Sequence, residues 1–483
     1  MGCFPNPCAL ELADATVLIV HDVVRLVPNK RVVCKGLWQG KSVYAKLFLG
    51  IDANKYAMRD ANGVKLLFDA SILTPSLLFQ SETDDKSAQV LIFEAIAPAS
   101  NAEENLPDLN AEQRLSLAKK LVQEVAKHHN ASLLQIDLYL KNFLVDDDKI
   151  YTLDGDGIRK YTRLSEKQAL QNLSVLLSKF DVLEIEIWLA DLLKTYAEAR
   201  AWQLAPDAAF IKKMTNAHRQ KAASNYADKK VFRQCSDVNV VRQNGLFKCL
   251  SSQYPQDILP EILAKLDICF TEKAMLKSGN TCTVALAEIA GKKLVIKRYN
   301  IKSFWHGVSR ALRQTRAAAS WANAYRLKIL DIATVAPIAL IETRHLALGK
   351  YGFKGRAYFL AEYIDAPDAV QFFAECADKA TRAETVKNIS TLFYKLYLLK
   401  ISHGDMKASN IKVVDNQPVL IDLDSMIQHR FDKLALNGHA RDLRRFMQNW
   451  QDSPALYNTF VKAFKVIYAD DAPLKLAQIE QIK

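Results

Sequence analysis

Two stretches of this chain carry the same polar residues at the same spacing, and that repetition narrows the fold more than any other feature. Asp137 stands five residues before Asn142 and seventeen before Asp154; Asp405 stands five before Asn410 and seventeen before Asp422. A further aspartate follows two residues on in each set, at Asp156 and Asp424. Each set sits in the same order of elements: a helical stretch, a polar loop, then two short apolar runs parted by a polar turn, DDDK in the first and DNQ in the second. A single Asp–Asn pair in a loop usually caps a turn. Four residues in register, twice, point to an internal duplication.

The rest of the chain fits two copies. With 483 residues, 50% of them hydrophobic, it exceeds what one core usually needs. Residues 30–50 alternate as strands, 110–130 carry an apolar stripe at helical period with Asn110 as N-cap, and 165–225 read as helix. Strands return at 270–300, helix at 305–330, a strand at Ala357–Tyr363 and helix at 380–400. The expected division is 1–215 for the first domain, 216–235 for a linker and 236–483 for the second. The spacing of Phe372, Phe373, Phe393, Tyr394 and Tyr397 suits core packing rather than base stacking.

The net charge of +12 favours an anionic partner. Eight scattered cysteines, with no CxxC pair, argue against a zinc site and for a reducing compartment. The N-terminal residues lack the charged and apolar regions of a signal peptide, and no apolar run is long enough to span a bilayer. The expected location is the cytoplasm, with room for peripheral association with a membrane face.

Phosphoryl transfer from ATP needs cations on the phosphates and a carboxylate that orients the attacking hydroxyl. HGDMKASN (403–410) supplies Asp405 as acceptor of the hydroxyl proton, Lys407 for the transferring phosphoryl group, and Asn410 as an oxygen donor to Mg²⁺. VLIDLDSM places Asp422 at the end of an apolar strand as the second metal ligand, with Asp424 as its support or as a ligand to a second metal.

HGDMKASN followed by LIDLD resembles the catalytic loop and metal-binding aspartate of protein-kinase-like folds, and most nearly those of the bacterial lipopolysaccharide core kinases, which phosphorylate heptose or Kdo sugars. SWANAYRLKILDIATVAPIAL resembles the αC helix and following strand of that family. The resemblance covers most of 270–450 and implies an α+β fold of two tandem protein-kinase-like domains, each a small strand-rich lobe over a larger helical one. It implies ATP and Mg²⁺ as cofactors and a lipopolysaccharide core oligosaccharide, or another anionic acceptor, as partner. Lys297 in LVIKRY resembles the lysine that holds the α/β phosphates; the competing reading is an edge lysine reaching solvent. Gly279 and Asn280 resemble the turn over the phosphates, and Glu362 and Tyr363 the hinge that holds adenine by its backbone.

Two departures stand out. Where the family places an αC glutamate, this chain has Ser320, and no acid occurs between Lys297 and Asp331. The segment is instead basic, with Arg298, Lys302, Arg310, Arg313, Arg316, Arg326 and Lys328, either a face for an anionic acceptor or a solvated helix face. The first copy keeps Asp137, Asn142, Asp154 and a lysine, Lys46, but has Gln135 and Ile136 for His403 and Gly404, and Tyr139 for Lys407. Gly36 and Gly40 are its turn candidates, His129 its loop brace, Lys141 its replacement cation, and Asp60 an αC-like acid two residues off register. The first copy is therefore either a second active domain or a pseudokinase that steadies the second. Three wider alternatives stay open: a kinase of a protein or small alcohol, a tandem pseudokinase acting as a nucleotide-binding module, and nucleic-acid binding, which leans on charge alone.

Overall fold

Two-residue turns with both residues at positive φ start the strands that carry the two lysines. Gln39 and Gly40 (φ 50° and 75°) precede the strand Lys41–Leu49, and Ala290 and Gly291 (φ 49° and 72°) precede Lys292–Tyr299. Such turns match the right-handed twist of an antiparallel pair. Gly40 thus serves as expected. Gly36 does not: it lies inside the strand Arg31–Trp38, where a Cβ would stand 2.1 Å from the Ile19 carbonyl oxygen, so it permits close strand contact and makes no turn.

The computed structural model describes residues 8–243, 245–266, 268–270, 275–278, 282–299, 314–344 and 354–481. It is a mixed structure of helices and sheets in two compact units, Met1–Arg219 and Gln220–Lys483. The division falls within the helix Ala208–Ala227, which occupies the first part of the stretch expected to be a linker.

The first unit opens with six antiparallel strands in the spatial order Cys8–Glu11, Val17–Val27, Arg31–Trp38, Lys41–Leu49, Ala88–Glu94, Leu77–Glu82. Alternation along Lys41–Leu49 sends Val43, Ala45 and Leu47 into one core and leaves Lys46 on the opposite face. On that face lies the helix Ala53–Asp69, packed through Ala53, Ala57, Ala61 and Val64 against Phe48, Leu91 and Phe93. The helical part begins at Ala111–Asn130, whose start is fixed by a reciprocal capping box between Asn110 and Gln113. It buries Leu117, Leu121, Val122 and Val125 against the helices Glu166–Leu177 and Val182–Ala199.

The second unit has seven antiparallel strands, ordered Val238–Gln243, Leu246–Ser251, Pro337–Arg344, Lys354–Glu362, Lys292–Tyr299, Cys282–Ile289, Met275–Ser278. The first two strands and the helix Ile258–Lys265 were not anticipated; they extend the sheet N-terminally of the stretch read as strands. Leu294 and Ile296 enter the core while Lys297 faces the other way. The helix Arg316–Ile329 starts at Thr315, whose hydroxyl accepts from the Ala318 N–H, and is anchored by fully buried Trp321, whose indole N–H donates to the Val231 carbonyl at 3.0 Å. Phe373 and Phe393 are buried edge-to-face against Phe460 and Phe464, and buried Tyr394 packs on Tyr468. Each unit places a short antiparallel hairpin after its polar loop, Phe143–Asp146 with Lys149–Thr152 and Ile411–Val414 with Gln417–Leu420.

In the first unit the helix Ala53–Asp69 meets the loop after Asp154 backbone to backbone. A Cβ on Gly63 would stand 1.9 Å from the Gly155 oxygen, and one on Gly155 would stand 2.2 Å from the Asp60 oxygen. The second unit joins the corresponding elements differently: the Asn323 amide donates to the carbonyls of Leu423 (2.9 Å) and Met426 (3.0 Å). Gly63→Ala should therefore force the helix off the loop and destabilise the first unit by about 1–3 kcal/mol. Urea unfolding followed by tryptophan fluorescence and circular dichroism would show an earlier transition; an unchanged midpoint would mean that the contact relaxes freely.

Candidate functional site

The loop of the second unit is built by its own backbone. The Lys407 N–H donates to the Asp405 carbonyl at 2.9 Å, and the Asn410 N–H donates to the Lys407 carbonyl at 2.9 Å. The Asn410 side-chain amide donates to the Asp405 carbonyl at 2.8 Å, and the Ile421 N–H donates to the Asn410 carbonyl at 3.0 Å. With the amide nitrogen committed, the oxygen of Asn410 is the atom left to offer a cation. Upstream, buried Asp442 accepts the N–H groups of His403 (2.5 Å) and Gly404 (3.0 Å), and the His403 ring bonds the Ile421 carbonyl at 2.9 Å. Gly404 is required here: its φ is +83°, and a Cβ would stand 2.6 Å from the Ser425 oxygen.

Four cations converge on this frame. Lys297 reaches Asp422 at 2.8 Å, and Lys407 reaches Asp405 at 2.9 Å. Arg445 lies 3.8 Å from the other Asp405 oxygen, and Arg316 holds Asp424 at 2.6 Å. Burial works to raise the Asp422 carboxyl, but the Lys297 charge and hydrogen bond outweigh it and hold Asp422 below the usual carboxylate range. Asp422 itself takes a left-handed backbone, φ 62°, which turns its side chain at the strand end.

The first unit repeats these bonds. Tyr139 N–H donates to the Asp137 carbonyl (2.9 Å), Asn142 N–H to the Tyr139 carbonyl (2.9 Å) and Leu153 N–H to the Asn142 carbonyl (2.8 Å). The Asn142 amide donates to the Asp137 carbonyl at 2.8 Å, and the Gln135 amide takes the place of the His403 ring by donating to the Leu153 carbonyl at 2.9 Å. Asp154 is left-handed at φ 68°. Lys46 pairs with Asp154 at 3.3 Å, and Arg59 pairs with Asp156.

The first unit adds an acid that the second lacks. Lys46 also binds Asp60 at 2.6 Å, so the acid judged two residues off register is in contact with the lysine. Ser320 of the second unit instead bonds the Tyr299 hydroxyl at 3.2 Å. Burial raises the Asp60 carboxyl above its ordinary value despite Lys46. Burial also opposes ionisation of Asp154, but Lys46 and Arg31 outweigh it and hold that carboxyl low. Arg31 stands 3.7 Å from Asp154 and had no signal in the sequence beyond its place on a neighbouring strand.

Several expectations need correction. Asp424, expected to support Asp422 or to meet a second metal, is paired with Arg316 and its side chain is only 4% exposed. The basic helix face is partly neutralised from within, because Arg326 is buried and pairs with Asp228 while Arg316 pairs with Asp424. Lys302, Arg310 and Arg313 lie outside the described residues, as do Gly279 and Asn280. The N–H groups of Glu362 and Tyr363 donate to Ala336 and Lys293, each at 3.0 Å, which leaves only their carbonyl oxygens to serve a base. Lys141 lies over the Tyr139 ring at 5.3 Å, and Lys179, which the sequence did not single out, lies closer at 4.5 Å. Burial lowers the Lys179 ammonium, against the attraction of Glu103 and Asp137. His129 acts on the loop at one remove: it bonds Asn172 at 3.1 Å, and the Asn172 amide donates to the Gln135 carbonyl at 2.9 Å.

As a cation site, Asn410 with Asp422 offers hard oxygen donors, and Asn142 with Asp154 does the same in the first unit. Among the described residues no three His, Cys, Asp or Glu side chains converge as a metal cage. Two protein donors suit Mg²⁺, which retains waters and phosphate oxygens.

Residues 268–464 match the model of the Lipopolysaccharide kinase (Kdo/WaaP) family. A 3-deoxy-D-manno-octulosonic acid kinase from Vibrio parahaemolyticus is 43% identical over 63 residues, 13% of this chain. The chain spans about a quarter of that relative's length, 26%. A solved structure of WaaP in complex with acyl carrier protein aligns at 17% identity over 41% of this chain and 88% of its own, with a TM-score of 0.32, too loose a superposition to carry a structural argument.

The depressed carboxyl of Asp422 has a definite pH signature. Its contribution to stability is fully present above the unfolded carboxylate value of about 3.9 and is lost as pH falls through its lower folded value. Lys297→Met removes the largest opposing charge and leaves burial in place, so Asp422 should titrate at higher pH than in the wild type. Carboxyl NMR titration of the two proteins measures this; identical midpoints would show that the ion pair does not set the Asp422 charge.

Proposed function

We propose, on the premise that residues 268–464 belong to the lipopolysaccharide kinase family, that this chain transfers the terminal phosphoryl group of ATP to a sugar hydroxyl of the lipopolysaccharide core. The observation that carries the reading is the ordered loop of the second unit, with Asp405, Lys407 and Asn410 held beside the Lys297–Asp422 pair at 2.8 Å. Asp405 orients the acceptor hydroxyl and takes its proton. Lys407, 2.9 Å from Asp405, balances charge on the phosphoryl group in transit. Lys297 holds the α/β phosphates. Asn410 and Asp422 would hold Mg²⁺, which when bound neutralises the phosphate oxygens.

In this reading the two units are tandem kinase-like domains, supported by the recurrence of the same loop hydrogen bonds around Asp137–Asn142 and Asp405–Asn410. The first unit keeps Lys46, Asn142 and Asp154 for a nucleotide but presents a tyrosine where the second has Lys407. We assign it nucleotide binding and a supporting role. The protein works on the cytoplasmic side of the inner membrane, where its net charge of +12 favours peripheral contact with an anionic surface; no helix among the described residues is long and apolar enough to cross a membrane.

Transfer of label from Mg·ATP to dephosphorylated lipopolysaccharide core tests the assignment. Asp405→Ala should lower kcat by about 10²–10⁴-fold, and Lys407→Ala by about 10²–10³-fold. Asp137→Ala should leave most of the activity in place. Loss of transfer in Asp137→Ala as well would make both units catalytic or coupled, and no transfer by the wild type despite bound nucleotide would point to another acceptor.

A further inference from the structure

The helix Asp432–Met447 supplies Asp442, which fixes the loop, and the same helix carries a face of arginines beside it. Arg441, Arg444 and Arg445 follow one another at helical spacing, with Gly438 one turn before. They line an open cavity of about 250 Å³ that is also bounded by Gly404, Asp405 and Gln448. Asp405 is thus on the wall of this cavity, and Arg445 stands 3.8 Å from its carboxylate.

Charge in the cavity is unbalanced. Its two carboxylates are Asp405, already shared with Lys407, and Asp442, buried and occupied by two backbone N–H groups. Arg444 spends one N–H on the Leu476 carbonyl at 2.9 Å, which steadies the guanidinium without neutralising it. Three guanidinium groups lining a cavity with the half-buried Asp405 carboxylate form a site for an anion with more than one oxygen, since the guanidinium fork matches carboxylate and phosphate.

The first unit acts as an internal control. Asn172 donates to the Gln135 carbonyl and Asp442 accepts the His403 N–H, so each helix meets the residue two before the loop aspartate and the two can be set in register there. Gln171, Ser174 and Val175 then fall where Arg441, Arg444 and Arg445 stand. The arginine face is therefore confined to the unit whose loop carries Lys407, and the loop frame does not require it.

We propose that Arg441 and Arg445, supported by Arg444, form an acceptor subsite that binds an anionic substituent, a carboxylate or a phosphate, carried by the same sugar as the reacting hydroxyl or by its neighbour. This rests on the reading of Asp405 as the group that meets the acceptor hydroxyl. It makes the acceptor a sugar acid or a sugar phosphate and excludes a neutral or cationic sugar as the preferred substrate.

Binding measured by calorimetry on the full chain tests the subsite without turnover. The probes are 3-deoxy-D-manno-octulosonic acid against its methyl ester, and heptose 7-phosphate against heptose. The charged member of one pair should bind about 10- to 100-fold tighter than its neutral partner. A preference in the first pair identifies a carboxylate, and one in the second a phosphate. In Arg441→Gln/Arg445→Gln the preference should vanish while ATP affinity and the thermal midpoint stay at wild-type values; Arg441→Lys/Arg445→Lys should restore part of it. Equal binding within both pairs, or a preference undiminished in the glutamine variant, overturns the subsite. A charge preference that depends on the arginines, with no phosphate moved to any probe or to the core, leaves the anion subsite standing and removes the core sugar as the phosphoryl acceptor.

Discussion

The contact between Lys297 and Asp422 joins residues 125 positions apart and brings the strand-rich part of the second unit to its loop. Strand alternation turns Lys297 away from the core that Leu294 and Ile296 enter, so its ammonium ends in a partly buried place where it needs a counter-charge. Asp422 provides one because the chain turns left-handed at the strand end. The loop from Asp405 to Asn410 is then held to that strand by the Ile421 N–H and the His403 ring. Without the ion pair, the Lys297 ammonium and the side-chain oxygens of Asn410 and Asp422 would share no fixed position.

The first unit meets the same requirement with a different balance. Lys46 is shared between Asp60 and Asp154, and Arg31 supplies the second positive charge that keeps Asp154 ionised. Among the described residues the second unit has one acid on its lysine, and a serine–tyrosine hydrogen bond where the other acid would be. Among those residues fewer carboxylates compete there for the lysine, which in the proposed reading leaves more of its charge for a phosphate. That difference, together with Tyr139 against Lys407 and the arginine face on one helix only, is what the proposed division between a nucleotide-holding unit and a catalytic one rests on.

The loop residues were legible in the sequence because their spacing is fixed by backbone hydrogen bonds within a few residues. Asp405 and Asn410 must stand five apart for the Asn amide to reach the Asp carbonyl, and the same holds for Asp137 and Asn142. Lys46 and Lys297 were legible because an apolar strand seldom carries a lysine without a partner. Long-range partners were harder to see. Asp60 stood two residues off the expected register yet is the acid that Lys46 meets, since a helix can be set against a sheet at more than one offset and packing on Gly155 helps to fix it. Nothing local marks Arg316 as the partner of Asp424, or Asp228 as the partner of Arg326, so a basic run looked unopposed when its acids come from elsewhere in the fold. Arg441, Arg444 and Arg445 escaped notice because exposed arginines on a helix are ordinary until the loop they face is known.

The direct test is the number of Mg·ATP analogue molecules bound per chain, counted by equilibrium dialysis in the Lys46→Met background, which removes the cation proposed to hold a nucleotide in the first unit. One molecule should remain bound, and adding Lys297→Met should bring the count to zero. A count that stays at one in the double variant would mean that the nucleotide is held elsewhere and that the Lys297–Asp422 pair serves the fold alone.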